Sequence, residues 1–319
     1  TRIDLPNVVP NEGPYGQGVA TVKKVFVPDI FAQKAVGFVE HPTHQPYFLY
    51  DATTEPHAND EAHENEVPDL GPYANKPWPL PEKQYAALVT RLDTDVGHIV
   101  AQVHAHHAEQ NTIIIFASDN GVQSEGGTDP AFFHSSGPLR GQKRDMYEGG
   151  IRVPFIVSWP GHIAPGTTSR LPIAFWDVMP TLAEVAHATV PANLDGISFL
   201  PTLLGKPQQK KHDFLYWEFH ERGFEQAVLM TDGNWKAVRH SLTEPLELYN
   251  LNTDIGETHN VAAEHPEILA KIQHYLATDA RTDSKEFPVT AAPARRGRGG
   301  RRGGRGAPAG RAGGAGRAG

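Results

Sequence analysis

Asp119 and Asn120 carry side-chain oxygens of the hard kind that calcium or magnesium accepts. They follow Thr112-Ile113-Ile114-Ile115-Phe116-Ala117, an apolar run that reads as a buried strand, so they stand at its carboxyl end. That is the edge at which open α/β sheets bind ligands. An Asp-Asn-Gly triplet without that context is an ordinary turn. Downstream, Lys143 ends the stretch Gly137-Pro138-Leu139-Arg140-Gly141-Gln142-Lys143 and supplies a point charge suited to an anionic oxygen, although a lone lysine in a glycine-rich loop is ordinarily just solvated. His134, nine residues before Lys143 in the same loop, is a candidate for a pocket wall. Glu148 and Arg152 read as a buried structural ion pair. His104, His106 and His107 look like a metal cluster by count, but they fall near the end of a predicted helix, where a solvated polar face is the simpler reading.

Positioning these groups requires a scaffold, and the hydrophobic pattern supplies one. Ile30, Phe31, Ala35 and Phe38 are spaced for one face of a helix from Pro28 to Glu40. Gln45 to Tyr50 is a short aromatic and aliphatic run that suits a buried strand, with Asp51 to His57 as the loop at its end. Residues 58 to 81 form a polar, proline-rich excursion. Tyr85, Leu88, Val89, Leu92, Val96, Ile99, Val100 and Val103 keep the helical period and predict a long helix from Glu82 to about Ala108. The run 112–117 is apolar on both alternating faces, as a central parallel strand is when helices cover both sides. A strand over 153–158 and a helix over 178–188 continue an α/β pattern. Beyond Gly205 the pattern changes: 226–231 and 234–239 are strand-like runs joined by Asp232-Gly233, a hairpin signal, followed by a strand at 246–251 and a helix at 264–277. The expected division is therefore 1–205, a small α+β unit with an antiparallel sheet over 206–287, and a tail over 288–319.

Three segments resemble the arylsulfatase A type of the sulfatase family, within the alkaline-phosphatase-like superfamily. The first is Pro46-Tyr47-Phe48-Leu49-Tyr50 with Glu55-Pro56-His57; the second is Phe116-Ala117-Ser118-Asp119-Asn120-Gly121. The third is the 137–143 stretch running into Tyr147-Glu148-Gly149-Gly150-Ile151-Arg152-Val153-Pro154. Their order and spacing fit, and the likeness extends through Trp159-Pro160-Gly161 and Asp195-Gly196 to Leu248-Tyr249-Asn250-Leu251. The resemblance implies an α/β fold, with 1–205 as part of an alkaline-phosphatase-like sandwich built on a mostly parallel sheet. It also implies hydrolysis of sulfate esters, on a sulfated small molecule or carbohydrate. Asp119 and Asn120 would hold the divalent ion, usually calcium with magnesium possible. Lys143 and His57 would bind the sulfate, with His57 also placed to protonate the leaving oxygen. A periplasmic or secreted location follows from the same resemblance.

Half of the family's site is not recognisable. A complete member carries, near its N-terminus, an acidic ligand pair and a Cys or Ser in a Cys/Ser-x-Pro-x-Arg motif whose oxidised form is the formylglycine nucleophile. Here there is no cysteine. Ser136-Gly137-Pro138-Leu139-Arg140 fits the short pattern formally, but these residues already belong to the lysine loop and come after the metal-binding strand. The expectation is that well over a hundred preceding residues are absent, and that this chain alone binds the ion weakly and turns over nothing. Two rival readings stand beside it: a phosphate or phosphonate ester hydrolase of the same superfamily, and a non-catalytic binding protein with a degraded site.

Composition narrows the remaining choices. Hydrophobic residues at 39% and charged residues at 21% are ordinary for a globular chain. No apolar run approaches the roughly 20 residues that span a bilayer, and no secretory signal is visible. The net charge of −8 conceals eight arginines and no acid in 291–319, so the rest carries about −16, which argues against nucleic-acid binding by the body. The tail is Gly, Arg, Ala and Pro and cannot supply a core. Removing residues 288–319 is accordingly expected to change unfolding free energy by less than about 1 kcal/mol, measured by thermal unfolding of full and truncated chains. A larger loss would show that the tail docks on the acidic body.

Overall fold

The computed structural model describes residues 24–40, 45–60 and 62–282. The N-terminal loop expected over 1–20 and the Arg/Gly-rich tail lie outside the described residues. Helix α1 spans Val27–Glu40 and packs against α2, Leu80–Ala105. Pro81 falls in the first turn of α2, where a missing N–H costs nothing, and His107 at φ 51° turns the chain away just after its end. Leu88 and Val103 of the predicted stripe are buried, while Val89 at its margin is exposed. On α1 the buried face is Pro28, Ala32, Ala35 and Val39, rotated from the expected one, and Phe38 is exposed with its ring edge-on to Tyr47.

Strand β1 (Ile114–Ala117) pairs with β2 (Phe155–Ser158), and between them lies the single turn α3 (Glu148–Ile151). The pairing is antiparallel, Ile114 opposite Ser158 and Ala117 opposite Phe155. Every strand pair among the described residues is antiparallel, so the mostly parallel sheet expected for the first unit does not appear. The reason is that an all-apolar run reports burial and says nothing of strand direction. The segment 45–50 is likewise not in a sheet among the described residues, and Phe48 and Tyr50 are 71% and 80% exposed. An apolar run becomes a strand only where a neighbouring ladder receives it. Helices α4 (Val178–Val185) and α5 (Leu200–Leu203) complete this part.

The second sheet is antiparallel, as expected, but has four strands in the order β3 (Phe214–Phe219), β4 (Glu225–Met230), β5 (Trp235–Arg239), β6 (Glu247–Asn250). The pattern of aromatics in Phe214-Leu215-Tyr216-Trp217 is the signal for β3 that the hairpin reading left unused. At the β4–β5 turn Gly233 takes φ 75°, a conformation that favours glycine. One face, with Val228, Ala237 and Leu248, packs on α6 (Pro266–Thr278) through Ile272. The other face, with Ala227, Val238 and Tyr249, packs on Met146 and Tyr147 from the turn before α3. All six residues of β4 are buried because both faces are covered.

Charge locks this second contact. Lys236 on β5 has a fully buried side chain whose Nζ lies 2.8 Å from Glu148 Oε1 and 3.0 Å from Glu257 Oε1. Glu257 Oε2 in turn accepts a 2.6 Å bond from the Glu148 backbone N–H. Glu148 is therefore buried against Lys236, and its expected partner Arg152, 3.2 Å away, is the exposed and secondary one. Lys236→Ala leaves two buried carboxylates without their cation and is expected to cost about 3–5 kcal/mol, whereas Arg152→Ala should cost under about 1 kcal/mol. Urea unfolding of both variants checks the contrast; similar losses would contradict it.

Candidate anion and metal site

Three loops form one wall of a cleft of about 1350 Å³. His57 comes from the loop after 45–50, Asp119 and Asn120 from the end of β1, and Lys143 from the loop before α3; all four line the cleft. Backbone bonds hold the loops together: Lys143 N–H donates to Val122 O at 2.8 Å, and Gly121 N–H to Gly150 O at 2.9 Å. Gly121 is required by this approach, since a Cβ there would sit 1.7 Å from Gly149 O. The Asp-Asn-Gly and Tyr-Glu-Gly-Gly segments are thus two sides of one backbone contact.

Lys143 Nζ lies 2.7 Å from His57 Nε2. His57 Nδ1 is 2.7 Å from the carbonyl of Ala58, which only accepts, so Nδ1 carries the hydrogen and Nε2 takes the lysine's. Lys143 also donates to Glu125 Oε2 at 2.9 Å, and Arg144 Nη1 donates to Glu125 Oε1. Burial works to raise the Glu125 pKa, but the hydrogen bonds from Lys143 and Arg144 outweigh it and hold the carboxyl below its ordinary range. Asp119 is exposed to the cleft and makes no hydrogen bond or ion pair among the described residues. Asn120 commits Nδ2 to Gly121 O at 3.0 Å, which leaves its Oδ1 available. The open Asp119 carboxylate and Asn120 Oδ1 are hard oxygen donors of the kind a divalent cation takes, although calcium takes six to eight oxygens. His57, Asp60 and Glu125 also place one donor atom each within 4.8 Å, but both Glu125 oxygens are already engaged by cations.

Other predicted residues fall elsewhere. His134 is exposed at φ 52° and is not among the residues lining the cleft, although its neighbours Ser135 and Ser136 are. Ser136 Oγ donates to Gly141 O at 3.2 Å, and Arg140 turns to the second sheet, meeting Tyr249 Oη at 3.1 Å and Glu257 O at 2.8 Å. The formal Ser-x-Pro-x-Arg match is a loop brace in this structure. Glu125 and Arg144 had no sequence signal, and Glu55 stood in the first motif without a role of its own, because each acts through partners distant in the chain. Glu55, two residues before His57, is buried, and its carboxyl is pushed up to about 7 by burial and then by Asp95, with Arg91 opposing.

Comparison with known proteins gives the chain a family. Residues 13–188 match the family described as Sulfatase, and 141–282 match N-sulphoglucosamine sulphohydrolase, C-terminal. Human arylsulfatase A is 30% identical over 287 residues, covering 80% of this chain and 52% of the relative. An N-acetylgalactosamine-6-O-sulfatase of Bacteroides thetaiotaomicron is 28% identical, covering 78% and 50%. Among solved structures, Ps i-CgsB superposes with a TM-score of 0.66 at 29% identity, over 83% of this chain and 57% of that one; its complex with k-i-k-neocarrahexaose gives 0.65 at 28%. The chain spans about half the length of the curated relatives it matches. With the family match covering more than half its residues, the chain belongs to the sulfatase family.

Proposed function

We propose that the chain carries the lysine, the histidine and part of the metal site of an enzyme that hydrolyses sulfate esters. The observation that carries this reading is the 2.7 Å pairing of Lys143 Nζ with His57 Nε2, on the same cleft as the open oxygens of Asp119 and Asn120. Lys143 meets a sulfate oxygen as a point charge within a partly desolvated wall, where a fixed cation acts more strongly than in water. His57 would serve as general acid in its imidazolium form, taking its proton from solvent and offering Nε2–H to the oxygen that leaves sulfur once Lys143, still charged, turns from Nε2 to the sulfate. Asp119 and Asn120 would hold a divalent ion, calcium or magnesium, which when bound supplies further positive charge to the sulfate. A sulfated carbohydrate is the substrate class we favour, supported by the N-acetylgalactosamine-6-O-sulfatase relative and by the complex of Ps i-CgsB with an oligosaccharide.

The nucleophile is not among the groups that line this cleft in a recognisable motif. We infer that the chain by itself does not turn over a generic aryl sulfate, with or without calcium. Calorimetric titration of calcium tests the metal half of the reading. Two protein ligands should give weak binding, with Kd of about a millimolar or above, and Asp119→Ala should abolish it. Calcium binding that survives Asp119→Ala and Asn120→Ala together would contradict the assignment.

A further inference from the structure

Glu125 lies between the groups just assigned to sulfate. Its Oε2 is 2.9 Å from Lys143 Nζ and 3.5 Å from His57 Nε2, so a carboxylate oxygen already occupies the position an anion would take. The Lys143 and Glu125 side chains are only 14% and 17% exposed, which makes this pairing stronger than a surface salt bridge. Its other oxygen is held by Arg144, whose Nε reaches Glu221 Oε2 at 2.9 Å in the β3–β4 turn. Arg144 adopts φ 77°, unusual for a residue with a side chain. With that backbone, two consecutive cations, Lys143 and Arg144, both reach the one carboxylate. The result is a row of alternating charge, Glu221, Arg144, Glu125, Lys143, ending at His57.

We propose that Glu125 is an internal counter-ion that sets the specificity of the anion seat: its carboxylate fills the position between Lys143 and His57 until a sulfate ester displaces it toward Arg144. The inference rests on the sulfate-binding reading above. A small free anion has to compete with a tethered carboxylate for the same ammonium and brings nothing else. An ester adds contacts from the rest of its molecule, so it offsets the displacement where free sulfate does not. The same competition favours departure of product sulfate. Arg144 keeps the displaced carboxylate paired, with Glu221 holding Arg144 from the side of the second sheet.

The test is calorimetric titration of inorganic sulfate, in calcium-free buffer, into the full chain and its Glu125→Gln, Glu125→Ala, Glu125→Asp and Lys143→Ala variants, each checked for native circular dichroism. Removing one negative charge about 4 Å from the seat should tighten sulfate binding by roughly fivefold or more in Glu125→Gln. Glu125→Ala should do the same, and Glu125→Asp, which keeps the charge, should stay near the parent. Binding that is unchanged, weaker or absent in both neutral variants overturns the counter-ion. Sulfate binding that Lys143→Ala leaves intact overturns the sulfate reading itself, whereas binding that needs Lys143 but ignores Glu125 overturns only this inference.

Discussion

A lysine ammonium with no exposed surface organises this molecule. Lys236 projects from the second sheet and can be buried only because Glu148 and Glu257 both reach it, at 2.8 and 3.0 Å. Such a triad adds little net free energy over a well-packed apolar replacement, since desolvation cancels much of the attraction. Its consequence is geometric. Glu148 opens the short helix that follows the lysine loop, so satisfying Lys236 fixes where that loop meets the sheet. Tyr147 beside it adds hydrogen bonds to Glu247 and His240, at 2.6 and 2.9 Å, and Arg140 stacks over the Tyr147 ring at 3.8 Å. The loop bearing Lys143 is thus braced from behind by the second sheet.

The glycines carry that placement forward to the cleft. Neither glycine tolerates a Cβ: at Gly121 it would lie 1.7 Å from Gly149 O and at Gly149 2.3 Å from Gly141 O, so backbone contacts link the lysine loop, the Tyr-Glu-Gly-Gly turn and the loop bearing Asp119 and Asn120. On the outer side, Arg222 pairs with Asp145 at 3.0 Å while Arg144 pairs with Glu221. The β3–β4 turn therefore reaches the lysine loop by two ion pairs of opposite polarity. In this chain the second sheet thereby holds the lysine loop against the end of β1.

Much of this was legible in the sequence, for reasons that differ between elements. The 3.6-residue period made α2 visible, and Asp-Gly between two apolar runs made the β4–β5 hairpin visible, because both signals are local. His57, Asp119, Asn120 and Lys143 could be grouped only through family motifs, since no local pattern brings together residues 86 positions apart. The direction of β1 was misread because apolarity on both faces measures burial alone. Glu148 does pair with Arg152, as the sequence reading had it, but its buried partner is Lys236, 88 residues away, which no local pattern announces. Glu125 and Arg144 were silent for the same reason: a charge in a glycine-rich loop looks solvated until the fold supplies its partners.

The central claim, that the buried lysine of the second sheet holds the loops bearing Lys143 and Asp119 in place, is tested most directly by amide hydrogen exchange on the native chain and its Lys236→Met variant. The amides of Lys143 and Gly121 donate to Val122 O and Gly150 O across the loop contacts, while those in the middle of α2 belong to a helix remote from the triad. The account predicts that Lys236→Met speeds exchange at Lys143 and Gly121 together and leaves the middle of α2 protected. Unchanged protection at both loop amides, with the variant folded, would contradict it.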